Sequence, residues 1–336
     1  MKITEKDGIH IHGEKKVVAD SRNSQGDINI VSHAHFDHMH LNDSEVVCSE
    51  LTAKLAGARA GEEVKRTEAE NIELMNSGHI LGSSAALIKG EKDVLYTGDV
   101  SLRDRVYLDG FEPVSADILV MESTYGIPAY TFPEQQVIEN RVRDFIQDKQ
   151  SPLILFGYSL GKAQKIQKIV EEVTERPILA HGAVKKMNDV VEKSSDLDSK
   201  TSFLRSDFSE EKLSFRAKPY GENREIMKED GILIAPSNTS QSDWVEKLVE
   251  ETGALKAGFS GWAATDSFKY RGGYDETFQL SDHCDFNELV ELVEKVDPEK
   301  VYVQHGFDEE FASYLKRELG YNARALKQNQ SSLTDF

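Results

Sequence analysis

The chain has 336 residues, 39% of them hydrophobic, which is enough for a sizeable core and two domains or one large one, and excludes a disordered tail or a mini-protein. With 59 acids against 40 bases the formal net charge is -19, so the chain is no general polyanion-coating protein and any nucleic-acid partner must be held locally. Its most apolar runs, such as Pro152–Phe156 and Gly231–Ala235, are strand-sized, its first residues turn charged at once, and Cys48 and Cys284 lack the spacing of a thiolate metal site. A cytoplasmic protein with free thiols and no membrane partner is expected.

Short β-branched runs bounded by Gly, Asp, Ser and Asn predict strands at Ile28–Val31, Asn71–Met75, Ala85–Ile88, Val94–Tyr96 and Ile118–Val120, with a hairpin turn through Gly90–Asp93 and one helix at Glu50–Arg59. From Pro133 the pattern alternates. A helix at Glu134–Lys149, a strand at Leu153–Phe156 and a helix at Lys162–Val173 are followed by a strand at Ile178–Ala180 and a helix at Lys185–Lys193. Next come a strand at Ile232–Ala235, a helix at Asp243–Glu251 and a strand at Lys256–Phe259. Such alternation predicts a mainly parallel α/β layer. The end of the chain returns to helix at Phe286–Val296, strand at Val301–Val303 and helix from Glu309 to Leu319, closing at Gly320. Ser194–Gly221, rich in Ser, Asp, Glu and Lys, reads as a surface excursion.

The densest chemistry lies in Val31–His40, directly after a predicted strand. His33, His35, Asp37 and His38 place three imidazoles and a carboxylate in six positions, a set costly to bury unless something binds it and one that suits a borderline divalent metal such as Zn²⁺. In an extended segment His33 and His35 share a face and can grip one ion, while Asp37 and His38, beyond the turn, can point to a second. His79 and Asp99 also fall at predicted strand ends and complete a metal pair with Asp99 as a bridging carboxylate. His10, His12, His40 and His181 stand alone and read as solvated or hydrogen-bonded side chains.

His33–Ala34–His35–Phe36–Asp37–His38, Gly78–His79, Thr97–Gly98–Asp99 and Gln304–His305–Gly306 together resemble the metallo-β-lactamase superfamily. Glu122–Ser123–Thr124–Tyr125–Gly126, Leu160–Gly161–Lys162–Ala163–Gln164 and Ser281–Asp282–His283–Cys284–Asp285–Phe286 resemble more narrowly its β-CASP nucleases. Over nearly the whole chain the nearest resemblance is to the compact ligase-associated DNA exonucleases and to archaeal messenger-RNA 3′-end processing factor-like proteins. It implies an αββα sandwich at residues 1–124 and 279–327, an inserted α/β cap at 125–278 and a tail at 328–336. It implies two Zn²⁺ or Mn²⁺ ions, with His33, His35 and His79 on the first, Asp37, His38 and His305 on the second, and Asp99 bridging. Asp37 counts among the catalytic residues as well as the ligands, and Asp20 resembles a structural carboxylate beside the metal loop. His283 resembles the general acid for the leaving oxygen, and Glu122 the carboxylate that orients it and keeps it cationic.

Ser159 and Lys162 open a predicted helix after a strand, a place where helix N–H groups can hold phosphate, although a Gly-bearing turn with a solvated Lys fits equally. Arg103, Arg105, Lys185, Lys186 and Arg271 could supply further local positive charge, although each taken singly reads rather as a solvated surface residue. At the end of the sequence Gln330, Leu333 and Phe336 resemble the peptide by which replication and repair enzymes bind a PCNA-type sliding clamp, with a single terminal aromatic where the usual motif has two; a frayed polar terminus is the alternative. The leading expectation is a two-zinc DNA exonuclease of repair or replication, acting on a strand end in the interdomain cleft. A β-CASP nuclease of RNA 3′ ends is the alternative that His305 favours. A small-molecule metallo-hydrolase would need neither the cap nor Glu122 and His283, and a non-catalytic descendant would have lost ligands that this chain keeps.

Overall fold

The computed structural model describes residues 1–39, 42–194 and 213–326. His40, most of the Ser194–Gly221 excursion, and Gln330, Leu333 and Phe336 of the clamp-type peptide lie outside the described residues.

Two six-stranded sheets face one another. The first runs in spatial order β1 (Lys2–Lys6), β2 (Gly8–His12), β3 (Lys16–Ala19), β4 (Ile28–Ile30), β5 (Val46–Val47) and β6 (Arg66–Thr67), antiparallel up to β3 and parallel beyond it. The second joins β7 (Ile72–Asn76), β8 (Ser84–Ile88) and β9 (Val94–Tyr96) to β10 (Ile118–Glu122), β17 (Lys300–Gln304) and β18 (Ala323–Ala325) in the order β18-β17-β10-β9-β8-β7. Alternation along each strand decides which layer a side chain enters. In β10, Ile118 and Val120 face the first sheet with Tyr96, Ile9, Ile11 and Ile30, whereas Leu119 and Met121 face outward. Outside the second sheet lie α7 (Phe286–Val296) and α8 (Asp308–Arg317), which contribute Leu289, Leu292, Phe311 and Leu315 to that outward core. On the other side α1 (Glu50–Ala60), capped by Ser49, covers the first sheet. The result is a four-layer α/β/β/α sandwich.

The third sheet draws its strands from the single stretch between β10 and α7. Its order is β13 (Lys218–Pro219), β12 (Ile178–Ala180), β14 (Ile232–Pro236), β11 (Leu153–Gly157), β15 (Leu255–Phe259) and β16 (Glu276–Phe278), all parallel. Both faces are covered, as all-parallel sheets require, and the central strands read accordingly as continuous apolar runs. Leu153, Leu155, Ile232 and Ile234 pack on α2 (Gln135–Asp148), α3 (Lys162–Val173) and α4 (Gly182–Lys193), while Ile154, Phe156, Leu233 and Ala235 pack towards α5 (Asp243–Thr252). A short helix, α6 (Asp266–Gly272), precedes β16. The α/β class and the αββα sandwich with an inserted α/β layer are as the sequence predicts. Leu51 and Leu55 of α1 join Leu160, Met187 and Val191 in a core that fastens the inserted layer to the sandwich.

Several boundaries differ from expectation for local reasons. The fourth helix begins at Gly182, not Lys185, because the His181 side chain accepts the Ala183 N–H and caps it. The last helix stops at Arg317 and leaves Gly320 in the following turn. The hairpin β1–β2 escapes a hydrophobicity reading because Lys and His alternate with its buried residues Ile3, Ile9 and Ile11, and its tight turn at Asp7–Gly8 is supported by Gly8 at φ +81°. Among the described residues no helix is long and apolar enough to cross a membrane.

Candidate metal centre and cleft

The chemistry-bearing residues leave the same end of the sandwich. Asp20 follows β3, His33 to His38 follow β4, His79 lies in the β7–β8 connection, Asp99 follows β9, Glu122 ends β10 and His305 follows β17. Apart from β7, which among the described residues pairs only with β8 and antiparallel, each of these strands has a parallel neighbour, and their carboxyl ends are where loops can converge without crossing a sheet. Close approach is allowed by Gly98 at φ +54°, whose absent Cβ would stand 2.6 Å from that of Ser32.

Each of three histidines has one ring nitrogen tied outward and the other turned inward. His79 Nδ1 lies 2.9 Å from the Asp282 carbonyl and His35 Nε2 lies 3.2 Å from the Leu160 carbonyl. A carbonyl only accepts, so these nitrogens carry the protons and leave lone pairs on His79 Nε2 and His35 Nδ1. The Ser32 hydroxyl donates to Asp20 and therefore accepts from His33 Nδ1 at 2.9 Å, which leaves the lone pair on His33 Nε2. Burial pushes His33 and His79 well below the usual imidazole range and His35 down to about 4, which keeps all three neutral.

Three lone pairs and a carboxylate thus point at one another. His33 Nε2 and His35 Nδ1 are 3.1 Å apart, His35 Nδ1 and His79 Nε2 3.3 Å, and Asp99 Oδ2 stands 3.4 Å from His33 Nε2 and 3.5 Å from His79 Nε2. Tetrahedral coordination at zinc's usual bond lengths puts neighbouring ligand atoms about 3.3 Å apart. The donor set therefore fits a divalent ion of the zinc type, and without a cation its facing lone pairs would repel.

The other side of Asp99 is arranged differently. Asp20, at φ +47°, accepts from the Ser32 N–H at 2.7 Å, the Tyr96 hydroxyl at 2.7 Å and His38 Nδ1 at 2.8 Å. With its oxygens used in this way Asp20 orients ligands instead of serving as one, and it fixes His38 so that Nε2 faces Asp37 Oδ2 and Asp99 Oδ1, each at 3.7 Å. Asp99 accordingly turns one oxygen to each side. Asp37 is 70% exposed, and His305, at φ +58°, is exposed with its ring 5.9 Å from that of His38. Among the described residues Asp37, His38 and His305 do not form a group of donor atoms mutually within 4.8 Å, whereas His33, His35, His79 and Asp99 do.

Glu122 and His283 meet beside this centre, with Oε1 accepting from His283 Nδ1 at 2.7 Å. The carboxylate is held by the Val100 N–H at 3.0 Å, the Thr124 N–H at 3.1 Å and the Thr124 hydroxyl. Burial opposes both charges, but the pairing wins. It lowers Glu122 to about 2 and, with Asp99 and Asp282 adding to the field, raises His283 to about 9. The His283 ring stands 4.6 Å from that of His79. Its backbone is held by the Ser281 hydroxyl, which accepts from the His283 N–H and donates to the His283 carbonyl, each at 3.0 Å, and two residues on Asp285 caps α7 through a capping box and accepts from Arg103 and the Phe132 N–H.

Lys162 corrects the sequence reading. It is buried, with Nζ 2.8 Å from Asp282 Oδ2, and donates to the Leu280 carbonyl, so its charge is spent inside the protein and not offered to phosphate. Ser159 is half-buried and accepts from Arg59. The Gly161 N–H is taken by Gln164 Oε1 at 2.7 Å, so the start of α3 is capped from within. Arg105 and Lys165 also converge on Asp282, Arg105 at 3.5 Å; burial pushes its carboxyl up, but the three neighbouring cations Lys162, Lys165 and Arg105 outweigh that and leave Asp282 well below the usual carboxylate range. Because Asp282 also anchors His79, this knot ties the inserted layer to the metal centre. Sequence reasoning assigned Asp282, Lys165, Tyr96 and Ser32 no role. No pattern in the sequence marks them: Lys162, Gln164, Lys165 and Gln167 of α3 are buried along with its apolar face, which demands internal partners, and that burial comes from packing between the layers.

A cleft of about 400 Å³ opens between the layers, bordered by His35, Asp37, His283 and His305 on the sandwich side and by Tyr158, Ser260 and Trp262 on the inserted side. Residues 276–326 match the model of a Zn-dependent metallo-hydrolase RNA specificity domain, a stretch that includes His283 and His305. The chain is 33% identical over 321 residues to a probable DNA ligase of Opitutus terrae, covering 90% of this chain and 29% of the ligase. It is 24% identical to the RNase aCSPSF2 of Saccharolobus solfataricus, over 77% of this chain and 58% of that protein. A probable RNase MJ4 of Methanocaldococcus jannaschii is 25% identical, over 82% of this chain and 80% of the relative. The chain thus spans less than a third of the ligase-named relative and somewhat over half of the Saccharolobus RNase.

Proposed function

The chain belongs to the β-CASP branch of the metallo-β-lactamase superfamily, and from that premise we propose that it is a two-metal nuclease hydrolysing nucleic-acid phosphodiester bonds, most directly an exonuclease of DNA ends in repair or replication. The observation that carries this reading is the Glu122–His283 pair beside the three-histidine cluster. Hydrolysis of a phosphodiester expels a sugar oxygen that needs a proton, and a cationic imidazole at the cleft is the group to give it. A lactonase or thioesterase has no use for this pair.

His33, His35 and His79 with Asp99 would hold one ion, and His38 with Asp99, Asp37 and His305 a second. Zinc or manganese bound there supplies Lewis acidity and a water-derived nucleophile at neutral pH. His283 donates its proton to the leaving oxygen through the ring nitrogen not held by Glu122. Glu122 keeps that imidazole charged and correctly turned, and Asp20 does the orienting for His38. With a net charge of -19, the cleft is the place where phosphate would be attracted, since dications held there would add positive charge locally.

DNA as substrate is supported by the ligase-named relative, which matches more of this chain and at higher identity than the two RNases. Gln330, Leu333 and Phe336 belong to the same reading as a sliding-clamp contact. A second reading, cleavage at RNA 3′ ends, is favoured by the RNA specificity model over residues 276–326. End-labelled single- and double-stranded DNA and RNA, incubated with and without chelator, test the choice. Chelator-sensitive shortening of DNA is expected; hydrolysis of RNA alone would replace the first reading by the second, and hydrolysis of neither would remove both.

A further inference from the structure

The inserted sheet sends its loops out on one edge. In spatial order β15-β11-β14-β12-β13, the residues that follow the carboxyl ends are Ser260–Trp262, Tyr158, Ser237–Asn238, His181 and Tyr220. Tyr158 and Trp262 border the cleft and also a second groove of about 580 Å³ that continues to Ser237 and Asn238. Further along the same edge lies a pocket of about 670 Å³, which the metal chemistry does not use. In it the His181 and Trp244 rings stack at 5.7 Å and 23°, Tyr220 leans on Trp244 at 5.8 Å, and the Arg224 guanidinium lies over Tyr220 at 5.5 Å. Two strand spacings separate the end of β11 from that of β12, roughly 10 Å, or about three nucleotides at stacked spacing.

From this row we infer that the carboxyl edge of the inserted sheet is a binding track for single-stranded nucleic acid, on which Tyr158 takes a base at the cleft and the Trp244 pocket takes one farther along the strand. The inference rests on the nuclease reading and adds to it a distal base site. Aromatic faces with a flanking guanidinium hold any base by stacking, whereas a duplex keeps its bases stacked on one another and unavailable to such a pocket. Charge contributes little here. Lys228 is paired with Glu225 at 2.6 Å and Lys247 with Glu251 at 3.9 Å, so a shallow salt dependence accompanies the stacking.

The test compares wild type, Trp244→Ala, Trp244→Phe and Arg224→Ala on fluorescent single-stranded DNA of roughly three and roughly twelve nucleotides, with binding read in chelator and hydrolysis in metal. Trp244→Ala should weaken binding of the longer strand about tenfold or more, the cost of one lost base stack. It should leave hydrolysis of the short strand unchanged, and Trp244→Phe should restore most of the loss. Arg224→Ala, at an exposed position, should give a smaller loss in the same direction and guards against a folding defect in the Trp variant. Unchanged affinity for the longer strand in both Trp244→Ala and Arg224→Ala overturns the track, as does a Trp244→Ala loss equal for the two lengths. Hydrolysis by wild type without any length-dependent loss overturns the track alone; no hydrolysis by wild type overturns the nuclease reading and the track with it.

Discussion

The two sides of Asp99 differ in how completely the protein builds them. On one side the proton of each imidazole is fixed by a neighbour, Ser32 for His33, Leu160 for His35 and Asp282 for His79, so three lone pairs already face Asp99 Oδ2. On the other side only His38 is held this way, by Asp20, while Asp37 and His305 are exposed to the cleft. A closed donor set loses little side-chain entropy when an ion enters; an open one must order its ligands at that moment. The closed side should therefore bind first and more tightly, and the open side should be the one that exchanges with solvent and meets the substrate.

Asp99→Ala is the largest perturbation because it removes the group common to both sides. Hydrolysis should fall by roughly 10³-fold or more, and elemental analysis should show metal content dropping from about two ions per chain to below one. Wild-type hydrolysis in this variant would refute the assignment of the centre.

Next comes Glu122→Gln, which spares both sides of Asp99 and strikes the proposed proton donor, His283. Metal content should be unchanged while kcat falls about 10²- to 10³-fold. The pH profile gives the sharper reading. If His283 is the proton donor it acts while protonated, and the pairing with Glu122 raises it to about 9, so wild-type activity should persist up to that region and decline as pH rises through it. Without the carboxylate the imidazole returns towards about 6.5, so the alkaline limb should move to lower pH. Cations held at the centre would lower both limbs together, which makes the difference between the two proteins the quantity to measure. Coincident alkaline limbs would take the proton-donor role away from His283.

Much of the donor cluster was legible because its side chains are chemically unusual at short spacing. Three histidines and an aspartate in six positions have few explanations, and the strand that precedes them positions them as a group. The carboxylate knot at Asp282 was not legible. Lys162 and Lys165 look like solvated helix residues until α3 is seen to be buried on several sides, a fact settled by packing between two layers far apart in sequence. The same limit governs the fold. β14 and β11 announce themselves as apolar runs because they are covered on both faces, whereas β1, with Ile3 as its buried residue among Lys, Thr and Glu, carries too little pattern to be seen.

The smallest expected effect falls on the open side and tests the comparison most directly. His305→Ala removes a donor that stands outside the closed set and whose backbone is held by Ser123, which donates to the His305 carbonyl at 2.6 Å. If the second ion is assembled from exposed ligands, this change should weaken one ion by about 10- to 100-fold, leave the other in place, and allow added metal to recover most of the activity. His33→Ala, on the closed side, should lose its ion in a way that added metal does not repair, because it removes one of the three buried, pre-oriented imidazoles that make up the closed donor set. Metal titrations of activity for the two variants therefore discriminate between the sides. Equal recoverability would mean that the preorganisation around His33, His35 and His79 confers no advantage in binding, and that the two ions enter as one cooperative unit.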